Sequence, residues 1–215
     1  MKMLPTLLAF ALVSTVAVMP AQAAVIAVGP GAFGPGATLT TFNGLADGLE
    51  VDGLVVNGIL FDYSLGAGSV VINGGPGVTN NIAPQNIVSI GANAGVLTLT
   101  LPGPVSTFGY GFALLNTIPV PAATTIRLFS GATDVGSLSY AGAPDPVFTG
   151  GFAGIQSTLL FNRVELTFNA VAAPAFALDN IRTSTAANVP EPGTMLLLTA
   201  SLAVLGARVF RRSCS

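Results

Sequence analysis

The carboxylates of Asp47, Glu50 and Asp52 fall within one short stretch, and oxygen ligands this close in sequence can hold a calcium ion. Their spacing departs from the EF-hand loop, and Asp47-Gly48 and Asp52-Gly53 read more simply as turns with solvated carboxylates. Asp179 is a further oxygen donor. Strand alternation places it on one face with Ala177 and Ile181, where a buried carboxylate needs a partner. The one cofactor these residues can support is a structural calcium joining Asp179 to the Asp47–Asp52 region. The alternative is that backbone donors or Arg182 satisfy Asp179.

Residue types narrow the remaining chemistry. Histidine is absent and Cys214 is the sole cysteine, so Ser-His or Cys-His catalysis and His-ligated metals have no raw material. Residues 24–187 carry eight carboxylates, from which a glycosidase pair could be drawn, although nothing pairs them in sequence. Gly29-Pro30-Gly31-Ala32-Phe33-Gly34 matches a glycine-rich dinucleotide pattern in form only. Pro30 and the absence of a following helix remove the anion-binding helix start, so it reads as a loop. The same stretch has only Arg127, Arg163 and Arg182 as bases, a formal balance of −5. Without a basic patch to neutralise phosphates, nucleic acid is not an expected partner.

The two ends of the 215-residue chain differ from its middle. Lys2, an apolar stretch from Leu4 to Val18 and the small residues Ala21-Gln22-Ala23 read as a secretory signal over residues 1–23, cut by signal peptidase after Ala23. At the other end, Val189-Pro190-Glu191-Pro192 holds the backbone extended and short of donors, a form a protease can read. An uncharged run from Met195 to Ala207 follows, then Arg208, Arg211 and Arg212. Arginines in that position fix an outside-to-inside orientation across the inner membrane, with a crossing at about 194–210. The apolar run falls short of the roughly 20 residues of an ordinary span, which suits a transient anchor better than a permanent one.

These ordered parts resemble the PEP-CTERM sorting tag, whose proteins are handled by exosortases. The resemblance covers Val189 to Ser215. It implies processing beside the Pro-Glu-Pro tripeptide, a precursor held in the inner membrane, release to the cell surface or extracellular space, and a host that makes extracellular polysaccharide.

Residues 24–187 read as β structure throughout. Val96–Leu101 alternates threonines with Leu97, Leu99 and Leu101, and Arg163–Asn169 sets Val164, Leu166 and Phe168 against Arg163, Glu165 and Thr167. Further strands are expected at Thr38–Asn43, Leu54–Tyr63, Ser69–Asn73, Asn86–Ile90, Val105–Leu115, Thr124–Ser130, Val135–Tyr140, Val147–Phe152 and Ala175–Arg182, mostly parted by Gly- and Pro-bearing turns. The fold class expected is all-β, an antiparallel two-sheet sandwich of jelly-roll type. Phe108 to Phe112, Gly151 to Ile155, Phe161 to Phe168 and Phe176 to Ile181 are also similar, in their order, to sandwich domains found ahead of this tag. Residues 188–215 form the sorting segment.

Two functional classes are consistent with this pattern. One is a non-catalytic surface or matrix protein associated with envelope or extracellular polysaccharide. The other is a carbohydrate-active enzyme or a calcium-dependent carbohydrate-binding module.

Overall fold

The computed structural model describes residues 24–73, 79–89, 91 and 94–185. The expected signal peptide and sorting segment lie outside them. Among the described residues the regular structure is antiparallel β, and the one helical element is a 3-10 turn at Pro30–Ala32.

The strands are β1 (Val25–Ala27), β2 (Thr38–Thr40), β3 (Val55–Val56), β4 (Ile59–Tyr63), β5 (Val70–Asn73), β6 (Asn86–Ser89), β7 (Val96–Leu114), β8 (Val120–Ser130), β9 (Thr133–Pro144), β10 (Thr149–Phe168) and β11 (Phe176–Ser184). They form one hydrogen-bonded sheet with the main order β5-β6-β11-β7-β10-β8-β9.

The two layers come from folding that single sheet over, where two separate sheets were expected. β7 and β10 are long enough to run through both layers. Their ladder shifts register between Gln156 and Phe161 and again before Arg163, so each strand bends there. Pro102-Gly103-Pro104, a strand break by sequence, sits at this corner. Proline is tolerated where the ladder is interrupted, because no partner there requires its missing N–H. The stretches 96–101 and 105–115, separate strands by sequence, are therefore one.

Folding over brings remote parts of the ladder face to face. Phe168, at the end of β10, stacks on Phe176, at the start of β11, with ring centroids 3.8 Å apart and planes within 8°. Phe176 also meets Tyr63 of β4 at 6.1 Å. Between the layers Tyr110 is fully buried, and its hydroxyl is hydrogen-bonded to Thr124 Oγ1. Thr124 Oγ1 gives its own proton to the Thr167 carbonyl at 3.0 Å, so Tyr110 must be the donor. Burial pushes the Tyr110 phenol well above its ordinary pKa, which keeps that donor protonated.

Local rules hold in the small elements. Leu54–Tyr63 divides into β3 and β4 around Asn57-Gly58, whose φ values of 50° and 79° suit a tight hairpin turn. Arg127 and Arg163 lie over the Phe129 ring at 4.9 and 4.1 Å, and are paired with Asp134 at 2.7 Å and Glu165 at 3.7 Å. Two of the domain's three bases are thereby engaged in the β8–β9–β10 surface.

The outer face of the other layer is floored by glycine. A Cβ on Gly111 would lie 2.1 Å from the Asn81 carbonyl oxygen, and one on Gly150 would lie 2.6 Å from Thr79 Cγ2. The absence of side chains lets residues 79–83 rest directly on the sheet. Gly111→Ala is expected to lift this segment, cost about 1–3 kcal/mol of stability and speed amide exchange at residues 79–83. Urea unfolding and hydrogen exchange read both effects, and unchanged exchange there would contradict the close contact.

Candidate functional site

The acidic stretch 47–52 runs along the outer edge of β5. Glu50 bridges to Val71, and Val51 N–H donates to the Val70 carbonyl. Asp52 Oδ1 accepts from Tyr63 N–H at 2.8 Å, and Glu50 Oε2 from Gly68 N–H at 2.6 Å. These two carboxylates fasten neighbouring turns by satisfying backbone donors. Asp47 is exposed in its turn.

Asp179 lies elsewhere. β11 is separated from residue 50 by β6 and β5, along the row Ala177–Val88–Val71–Glu50. Three ladder steps amount to about 14 Å. The expected meeting of Asp179 with Asp47, Glu50 and Asp52 therefore does not occur in this arrangement. Among the described residues no three His, Cys, Asp or Glu side chains gather in a group that could hold a metal ion.

Strand alternation placed Asp179 correctly with Ala177 and wrongly with Ile181. Asn180 takes a left-handed conformation at φ 53°, and the β11–β7 register shifts between Asp179 and Arg182. One extra residue turns Ile181 into the core, fully buried beside Leu178. Asp179 stays on the outer face, opposite Gly111 and beneath residues 81–83.

There the carboxylate is 1% exposed. Its Oδ2 accepts from Ala83 N–H at 3.2 Å, while its Oδ1 has no hydrogen-bond partner. Continuing the register Ala177–Val88 and Leu178–Ile87 sets Asp179 opposite Asn86, whose own Oδ1 is also buried without a partner. Each of these buried acceptors lacks a donor. Desolvation raises the Asp179 pKa to about 6, against the lowering effect of the Asn180 and Ala83 N–H groups. Above this pair, Asn180 Nδ2 donates to the Asn81 carbonyl at 2.9 Å. The Asn80 and Asn81 amides in turn donate to Asp145. Asn86 was not singled out by sequence, because only strand pairing reveals its position opposite Asp179.

Glu50, Asp52, Asp134, Asp145 and Glu165 are thus held by backbone, amide or arginine partners at separate places, while Asp47 and Asp62 are exposed. At the end where residues 115–121, 144–148 and 169–175 meet, Asn116 ties the loops together. Its carbonyl accepts from Thr149 N–H at 2.7 Å, and its Nδ2 donates to the Ala172 carbonyl at 2.7 Å. Two hollows open beside it. One, of about 150 Å³, is lined by apolar residues that include Leu115, Phe148 and Phe176, and the other by Asn116, Ile118, Asn169, Val171 and proline and alanine neighbours. Neither has a titratable residue in its lining, so neither offers an acid–base pair.

Among solved structures, the chain is similar to a family 29 carbohydrate-binding module mutated to probe ligand recognition. Identity is 10%, coverage is 73% of this chain and 98% of that one, and the TM-score is 0.39. A second structure of carbohydrate-binding module family 29 aligns at 11% identity over 74% of this chain and 97% of that one, with a TM-score of 0.39. The catalytic domain of a GH87 alpha-1,3-glucanase in complex with tetrasaccharides aligns at 13% identity over 62% and 30%, with a TM-score of 0.35. No curated protein matches the sequence. The C-terminal residues that carry the proline pair, the apolar run and the arginines do match a family model. The chain carries the PEP-CTERM protein-sorting motif, at residues 188–212.

Proposed function

We propose that this chain is an exported, exosortase-processed surface or matrix protein whose β domain is a non-catalytic module associating with extracellular polysaccharide or the envelope. The sorting motif at residues 188–212 is the observation that carries this reading. Signal peptidase removes residues 1–23 after Ala23. The segment at about 194–210 then holds the precursor in the inner membrane with Arg208, Arg211 and Arg212 inside, and exosortase acts beside Val189-Pro190-Glu191-Pro192.

The non-catalytic part is supported by how the acids are used. Glu50 and Asp52 bind backbone N–H groups, Asp134 and Glu165 pair with arginines, and Asp145 fastens residues 80–81. The same engagement favours a domain that folds without calcium. Thermal unfolding is expected to be unchanged by millimolar calcium, and a rise in unfolding temperature would assign these carboxylates to an ion.

The deciding experiment is mass spectrometry of the exported protein from hosts with and without exosortase. With the enzyme, the product should begin at Ala24 and lack the sorting segment; without it, that segment should persist. An intact C-terminus in both hosts would defeat the proposal.

A further inference from the structure

The folded sheet delivers both ends of the described chain to the same place. Ala24 is hydrogen-bonded to Thr158 in both directions, and β1 pairs with Ile155–Ser157. β11 finishes opposite Thr107, just past the bend of β7. Chain entry and exit therefore flank the corner where β7 and β10 fold over.

Apart from the Ala24 amino group that signal cleavage exposes, that corner carries no charged group. Residues 24–27, 102–106 and 157–161 contain no Asp, Glu, Lys or Arg. Leu159 and Leu160 protrude from the bend of β10 at 45% and 52% exposure, and Ile26, paired with Gln156 just before that bend, is 56% exposed. Exposed leucines flanking two chain ends are poorly placed for core packing and well placed for a surface to which those ends lead.

The length of chain beyond the sheet limits how far that surface can lie. Only residues 186 and 187 separate Thr185 from the sorting motif. Ten residues from Thr185 to Met195, fully stretched, reach at most about 35 Å. We infer that, in the membrane-held precursor, the corner formed by Ile26, Leu159 and Leu160 rests on the lipid surface, seating the domain over its own anchor. This rests on the anchoring in the proposed function. A tether this short supplies a high effective concentration, so the contact needs only a weak intrinsic affinity for lipid. The opposite end, with Leu115, Ile118 and Val171 exposed, lies about 30 Å away along β11 and points outward.

Signal-cleaved precursor, residues 24–215, reconstituted in phosphatidylethanolamine–phosphatidylglycerol vesicles tests this with one environment-sensitive fluorophore per molecule. The label is placed at Leu160→Cys or at Val171→Cys, each in a Cys214→Ser background, with thermal unfolding confirming that both variants fold. The label at 160 should shift to the blue, lose most of its quenching by aqueous iodide and gain quenching by spin-labelled lipid, while the label at 171 stays aqueous. Carbonate extraction of the same vesicles reports the anchor separately. A carbonate-resistant chain with an aqueous label at 160, or with lipid contact at 171 instead, overturns the seating alone. A carbonate-extractable chain overturns the anchoring and the seating with it.

Discussion

Phe176→Ala is expected to lower the unfolding free energy by about 3–5 kcal/mol, the range for truncating a buried phenylalanine. Phe176 is 1% exposed, stacks on Phe168 and touches Tyr63, so the cavity opens where the two layers press together. The site has little freedom to collapse, because Phe168 and Tyr63 belong to strands whose registers are fixed elsewhere. Denaturant unfolding measures the loss. A cost below about 1 kcal/mol would mean that the stacked pair does not bridge the layers. Val171→Ala, at a fully exposed loop position, is the matched control and should leave the midpoint unchanged.

Stability should also fall as pH rises from about 4 to about 6. Asp179 has a folded pKa of about 6 against the ordinary 3.8, so the folded state keeps a proton that the unfolded chain releases across that interval. Below 3.8 both states are protonated and the group contributes no pH dependence; above 6 both are ionised and the loss is complete. A shift of about two units corresponds to about 3 kcal/mol. Asp134 does not confuse the measurement. Its hydrogen bond to Arg127 lowers its pKa, so its contribution is lost only at more acid pH. Asp179→Asn can keep the acceptor for Ala83 N–H and present an amide donor towards Asn86. It should remove the slope and stabilise the protein at pH 7. A slope that persists in the variant would assign the effect to another group.

The parts of this fold legible in sequence are those set by local alternation. Leu97, Leu99 and Leu101, and Val164, Leu166 and Phe168, all face the core as their period of two requires. What escaped was set by pairing and by single bulges. Pro102 and Pro104 signal a break when read alone, and the β7–β10 ladder is interrupted there, yet pairing resumes on the far side and β7 continues as one strand. Asn180 gives no local sign of the turn that sends Ile181 inward. Asp179 could be marked as a carboxylate needing a partner, whereas Asn86, 93 positions earlier, becomes its neighbour only through the β6–β11 register. At the sorting tag the position reverses: the ordered proline pair, apolar run and arginines identify it without any tertiary context.

The sheet's order also dictates when this protein can fold. β11, the last strand before the sorting motif, is inserted between β6 and β7 near the middle of the sheet, and it also pairs with β2 from the start of the domain. A chain emerging N-terminus first cannot close its core until residues 176–184 are out, so non-local contacts are delayed and folding is intrinsically slow. The polypeptide consequently stays unfolded until nearly the whole domain has emerged, and folding completes only when the sorting motif is next to follow.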